Sequence, residues 1–273
     1  MNIFHILSRE LHNSLSNRYL IAMIIILAAL GLTLVSIGSS ATGVVKVDRL
    51  TVQVASLSSL SIFLVPLIAL FISYDSVVGE KEQGRLILDL SYPISRFEWL
   101  MGKFLGHWLA VIIAIVIGYV VAIIPILISS ELSTNSIISF TRLVFSSILL
   151  GGIFIGFGYL ISVLLKQRSS AAGIAIGLWL AFVMLFDLAL LGLLVSETGK
   201  SLTASQVNAL LMANPVDVFR LMSLSSEQVN QFSAMQAIGE VNTLSFGLLS
   251  LVMLVWLLVP LLLSIFLFKR IKL

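Results

Sequence analysis

The residues able to do chemistry in this sequence are few, and they stand among apolar ones. Asp187 interrupts the run Leu185-Phe186-Asp187-Leu188-Ala189-Leu190. A carboxylate at the depth of lipid hydrocarbon costs about 2.5–3.5 kcal/mol on insertion scales, so one kept there faces a bundle interior or a water-filled path. Asp187 is therefore a candidate translocation or coupling residue; a hydrogen-bonded packing contact with a neighbouring helix is the alternative, and the sequence does not name its partner. The densest charge lies in residues 75–103, where Glu80, Glu82, Arg85 and Asp89 run beside Leu86, Ile87, Leu88 and Leu90. A short helix of this kind can lay its apolar side in the groove of a soluble partner while charges at the rim set the register; a solvated connector is the plainer reading. Tyr92-Pro93 ends it, because the residue before proline is pushed out of the helical region. Ser95 and Glu98 then have the spacing of a capping box that opens the next helix. A third segment has Asn214 before Pro215, a favoured helix start, followed by Val216, Phe219 and Met222 on one face with Asp217 and Arg220 between them.

Other chemistries are excluded by what the sequence lacks. There is no cysteine, hence no disulfide or thiolate metal site. His5, His12 and His107 show no ligand spacing. Met212, Met222 and Met235 have soft thioethers suited to Cu(I), but they do not recur in a tight repeat and read as apolar packing, so no metal site is expected. No G-x-x-x-x-G-K-[ST] phosphate loop is present, and the glycines of Gly151-Gly152-x-x-x-Gly156-x-Gly158 fall inside an apolar run. ATP hydrolysis, with its Mg²⁺, would have to come from a separate subunit. The absence of H-E-x-x-H and G-x-S-x-G argues against an enzyme, and the lack of a basic patch with interleaved aromatics argues against nucleic acid as a partner.

These residues must be positioned by helices in a bilayer. Of 273 residues 59% are hydrophobic and 11% charged, against about 25% charged in a soluble domain; the surplus apolar surface belongs against lipid. A spanning helix needs about 20 apolar residues, and six runs qualify: 19–37, 55–74, 104–128, 143–165, 171–195 and 244–268. With both ends inside, eleven of the sixteen Lys and Arg lie on the inner side and five (Lys46, Arg49, Arg142, Lys200, Arg220) outside, the asymmetry of a cytoplasmic inner face. Residues 1–18 lack the layout of a cleaved signal. Their Phe4, Leu7, Leu11 and Leu15 share a helical face, which predicts a helix lying flat in the interface. The expectation is an all-α integral membrane protein: one permease domain, 1–273, with six transmembrane helices, an N-terminal amphipathic interfacial helix, cytoplasmic termini, a cytoplasmic coupling loop 75–103 and an external segment 196–243. Gly152/Gly156 and Gly173/Gly177 are spaced for close helix approach, either between the two spans that carry them or with a partner chain.

Gly79-Glu80-Lys81-Glu82-x-Gly84-x-Leu86, Ser91-Tyr92-Pro93-Ile94-Ser95-Arg96 and Leu100-x-Gly102-Lys103 together resemble the motif of ABC-2 type transporter permeases, and the resemblance covers the whole chain. It implies a bacterial inner-membrane permease that works as a homodimer with two ATP-binding cassette subunits. These would be contacted through Glu80, Glu82, Arg85, Asp89, Tyr92, Pro93 and Arg96. Further stretches, Tyr74-Asp75, Gly106-His107, Phe186-Asp187-Leu188 and Asn214 to Leu221, are similar to the branch of that family serving nitrous oxide reductase maturation. That similarity implies help in assembling the reductase's copper–sulfur centre, by transport or by mechanical transmission, with Pro215, Asp217, Phe219 and Arg220 meeting a periplasmic partner. Export of another small substrate, and a stand-alone secondary transporter, are the alternatives.

Overall fold

The computed structural model describes residues 3–41, 49–129, 134–196, 202–223 and 244–271. The protein is an all-α integral membrane protein, and no strand occurs among the described residues. Helix α1 (Ile3–Leu15) bends by 59° into α2 (Arg18–Ala41). Asn17 makes the corner: its side chain accepts from Tyr19 N at 2.9 Å and its carbonyl from Ile21 N at 3.1 Å. With 24 residues at 1.5 Å each, α2 is about 36 Å long, enough for a hydrocarbon core of about 30 Å. Helices α3 (Arg49–Ser73), α6 (Arg96–Ser129), α7 (Thr134–Leu164) and α12 (Phe246–Arg270) are each long and apolar enough to cross. So is the run made of α8 (Arg168–Leu180), a π-turn (Ala181–Leu185) and α9 (Phe186–Val195). Between α3 and α6 lie two short helices, α4 (Val78–Glu82) and α5 (Arg85–Ser91). They are joined at Gly84, whose φ of 70° is left-handed backbone that only glycine adopts freely. Helices α10 (Ala204–Met212) and α11 (Pro215–Ser223) follow α9.

Helix α7 is the axis of the bundle. It packs most extensively on α3 and α12, while α2 and α1 pack on α6. Small residues set these approaches, as lipid-embedded helices require. A Cβ on Gly158 would lie 2.8 Å from Ser73 Cβ on α3, one on Gly118 2.9 Å from Leu27 on α2, and one on Gly156 3.2 Å from Pro260 Cγ on α12. Gly156 thus approaches α12, and Gly152, whose Cβ would lie 2.8 Å from each, approaches Leu257 of α12 and Trp108 of α6, rather than α8. Gly173 and Gly177 meet nothing within 4 Å among the described residues: the α8–α9 run lies at the bundle's edge, with 6% of its core window buried.

Helix α1 is amphipathic as its apolar spacing requires, but its buried face is Ile6, Glu10 and Ser14, not the Phe4–Leu15 stripe. The cause is a pair of glycines on α6. A Cβ on Gly102 would sit 3.0 Å from Ile6 Cβ, and one on Gly106 2.8 Å from Glu10 Cβ and 3.0 Å from Leu7 O. Backbones this close leave no room for an interposed side chain. The ends of the stripe are exposed, Phe4 at 75% and Leu15 at 36%, while Leu11 packs partly against the core.

Candidate functional site

The elements that the positive-inside rule assigns to the cytoplasm meet at one end of the bundle, and α4–α5 is tied to α1, α6, α7 and α8. Two successive backbone amides, Val77 N and Val78 N, donate to Ser162 Oγ of α7 at 2.9 and 3.0 Å, supplying the donors' partner that the start of α4 lacks. Glu82 Oε1 accepts from Arg168 N at 2.8 Å, placing a carboxylate at the positive end of α8; Arg168 also pairs with Asp75. Asp89 of α5 accepts from Arg9 Nη2 of α1 at 2.8 Å and from Trp99 Nε1 of α6 at 3.1 Å. At the centre the Lys103 ammonium lies 2.6 Å from Glu80 and 3.2 Å from Glu10, over the Trp99 ring at 5.1 Å. His107 bridges Glu10 at 2.9 Å and the Tyr159 hydroxyl at 2.8 Å. Burial alone would raise the Glu10 carboxyl, but the His107 hydrogen bond and the Lys103 charge hold it down to about 2. Burial prevails at Glu80 and raises it.

The expected capping box is present, with Ser95 N donating to Glu98 Oε2 at 2.9 Å and Glu98 N to Ser95 Oγ at 3.1 Å. Arg96 donates to the carbonyls of Lys269 and Ile271 at 2.9 and 2.8 Å, closing the C-terminal end of α12. Of the seven residues singled out here in the sequence, Glu80, Glu82, Asp89 and Arg96 bind other helices of the same chain. Arg85, Tyr92 and Pro93 point outward. They are joined by Ile87 and Leu88, exposed at 59% and 66%, and by Phe97; Leu86 is buried. The segment thus has an apolar outer surface and a charged root, and the root is bonded to α1, α7, α8 and the end of α12.

The opposite end holds a second polar cluster, centred on α11. Asn214 caps this helix, accepting from Val216 N at 3.0 Å through Oδ1, while its Nδ2 donates to Asp217 at 3.0 Å and to Phe182 O at 2.9 Å. Arg220 lies between two carboxylates, 2.8 Å from Asp217 and 2.8 Å from Asp187. That supplies the partner of Asp187 which the sequence left unnamed. Pro215, Asp217 and Phe219 are buried in the chain itself, with Asp217 1% and Phe219 0% exposed. What they could offer an outside protein is the position of α11 rather than their own side chains; Arg220 is partly exposed. Ser223 Oγ meets Ser58 Oγ of α3 at 2.6 Å, and Met212 O accepts from Trp256 Nε1 of α12 at 3.1 Å. Met222 is packed in the core and Met212 against it; Met235 lies outside the described residues, as do 197–201 and 224–243 of the external segment. No cluster of three or more His, Cys, Asp or Glu able to hold a metal occurs among the described residues.

Burial pushes the Asp217 carboxyl up to about 7; Arg220 pulls against this and Asp187 adds to it. A carboxyl whose pKa rises on folding stabilises the fold below its unfolded value, and the contribution disappears as pH climbs through the folded value. The docking of α11 is therefore expected to be firmer at pH 5.5 than at pH 8.5. Amide exchange over 215–223, corrected for its intrinsic pH dependence, should be several-fold slower at the lower pH; equal protection at both would remove Asp217 as the titrating group.

Sequence reasoning missed Lys103, Glu10 and His107 as members of these clusters. The one local signal was Gly102-x-x-x-Gly106 with Lys103 and His107 each one residue on, which marks a close approach flanked by two cations.

Comparison with known proteins agrees with these features. Residues 4–273 match the family model described as ABC-2 family transporter protein. A protein of Stutzerimonas stutzeri named "Probable ABC transporter permease protein NosY" is 38% identical over 271 residues, 98% of each chain. A protein of the same name from Pseudomonas aeruginosa is 43% identical over 225 residues, 82% of each chain.

Proposed function

Since the chain belongs to the ABC-2 transporter family, as a permease subunit of an ABC transporter in the bacterial inner membrane, we propose that two copies join two ATP-binding subunits docked on α4–α5, and that ATP-driven motion passes from there to α11. The observation that carries this reading is the division of labour within residues 75–103. Ile87, Leu88, Tyr92 and Phe97 stay exposed among the described residues, while Glu80, Glu82, Asp89 and Arg96 are bonded to other helices. A docking surface needs the former and a lever needs the latter. Hydrolysis belongs to the partner subunits, which bring ATP and Mg²⁺. The edge position of α8–α9, open at Gly173 and Gly177, supports it as the face turned to the second copy, with the two-fold symmetry usual for such assemblies.

The resemblance to the nitrous oxide reductase maturation branch extends the proposal to assembly of the reductase's copper–sulfur centre. Mechanical transmission is the favoured form. Three of the polar side chains in the bundle's core satisfy one another, the Tyr119 hydroxyl bonding both Ser61 and Ser147, and α8–α9 presents Leu180, Met184, Leu185, Leu188 and Leu191 outward, surfaces that suit packing rather than a polar path.

Leu88→Asp tests docking. A charge at the centre of an apolar contact should lower capture of the ATPase subunit by tagged permease at least tenfold, about 1.4 kcal/mol or more, with no loss of stability in the permease alone. Capture at the wild-type level would remove α4–α5 as the contact.

A further inference from the structure

The run from α8 to α9 carries a π-turn, and its placement joins two contacts that a regular helix would separate. Phe186 N–H reaches back to Ala181 O, five residues away, so the Phe182 carbonyl is released from its usual α-helical donor. That carbonyl accepts from Asn214 Nδ2 at 2.9 Å. The Phe182 ring stays in an aromatic cluster with Phe157 at 5.5 Å and Trp256 at 5.8 Å. Asp187, five residues further, pairs with Arg220 at 2.8 Å. In an α-helix residues five apart point about 140° away from each other, whereas a π-turn stacks them on one side. The extra residue is what lets Phe182 and Asp187 engage α11 at once. Elsewhere the run is held by Arg168 at its inner end, by the buried side chains Ala171, Ala175 and Val183, by Leu178 against the core and Leu190 and Leu194 against Val207 and Leu211, and by Trp179 Nε1, which donates to Phe63 O at 3.1 Å.

We propose that residues 181–185 are a two-position latch between the fifth membrane-spanning run and the outer helix α11. In the π position Phe182 O and Asp187 both bind α11. When the turn relaxes to α-helix, Phe182 O regains Phe186 N–H, everything beyond it rotates by about 100°, and Asp187 leaves Arg220. Asn214 loses one acceptor and Arg220 keeps only Asp217, so α11 is freed on one side. π-turns embedded in α-helices are frequent at functional sites, and an element with two packings close in energy is the form such switches take. The latch rests on the proposed transmission of motion to α11.

The test uses the full complex with its ATPase subunits, nucleotide-free and trapped with ATP and vanadate, and reads amide exchange over 215–223. In the wild type, exchange should change about tenfold between the two states. Deleting Met184, an exposed residue of the turn, leaves Asp187 four places after Phe182, about 40° round the helix, and removes the residue that slides. The outer helix should then stay protected, with less than about twofold change. Asp187→Asn, which keeps the shape and weakens the pair, should leave α11 fast-exchanging in both states. A wild-type change that persists unaltered in both variants overturns the latch alone. A wild type whose 215–223 exchange is indifferent to nucleotide overturns the transmission reading and the latch with it.

Discussion

Lys103→Met should destabilise the protein by about 3–5 kcal/mol, the range for removing one partner from a buried ion pair. The ammonium is 3% exposed and lies within 3.2 Å of both Glu10 and Glu80. Methionine matches its length, so the loss cannot be assigned to an empty cavity. It arises because two carboxylates then face each other across an apolar side chain. Glu10 retains His107, but Glu80 retains nothing: its second oxygen is already buried without a partner. The same substitution in a Glu80→Gln background should cost markedly less, because the uncompensated charge is gone; the coupling between the two changes is expected to exceed about 1 kcal/mol. Thermal unfolding of the detergent-solubilised chain measures both. A loss under about 1 kcal/mol would mean that Lys103 behaves as an exposed pair, and the root of α4–α5 would not be the rigid joint described.

What the sequence discloses, and what it withholds, follows from the range of each interaction. The capping box at Ser95 and Glu98 and the cap at Asn214 and Pro215 are local: their partners are at most three residues apart, and their residue types announce them. The membrane character follows from composition, and the inner face from where Lys and Arg fall. The pairs that build the two clusters span 33 residues for Asp187 with Arg220 and 80 for Arg9 with Asp89, and nothing in either segment names the other. The π-turn is silent for a different reason. Ala181-Phe-Val-Met-Leu185 reads as ordinary spanning helix, and only the demand of Asn214 for a carbonyl and of Arg220 for a carboxylate makes the wider turn favourable. Amphipathic spacing is also silent about a helix's second face. On α1 the apolar stripe says nothing of the side buried in protein, Ile6, Glu10 and Ser14, which two glycines on another helix choose.

Those glycines give the other large effect. Gly106→Val should cost about 3 kcal/mol or more, at or beyond the upper end for overpacking a tight contact. A Cβ at 106 would stand 2.8 Å from Glu10 Cβ, 3.0 Å from Leu7 O and 3.2 Å from Leu11 N. Two of these three atoms are backbone of α1, which cannot turn aside as a flexible side chain can, so the helix must move bodily outward. The movement would strain Glu10–Lys103 at 3.2 Å and Glu10–His107 at 2.9 Å together, losing charge-assisted contacts on top of the steric cost. Gly106→Ala should fall between wild type and valine. Gly177→Val is the control in a detergent that yields monomers: none of the described residues lies within 4 Å of that position, so its melting temperature should match the wild type, while self-association in milder detergent should weaken if α8 meets the second copy. Equal melting temperatures for the valine variants at 106 and 177 would show that α1 rides loosely on α6, and the path from α4–α5 into the bundle would then run without α1, through Ser162, Arg168 and the α6 partners Lys103 and Trp99.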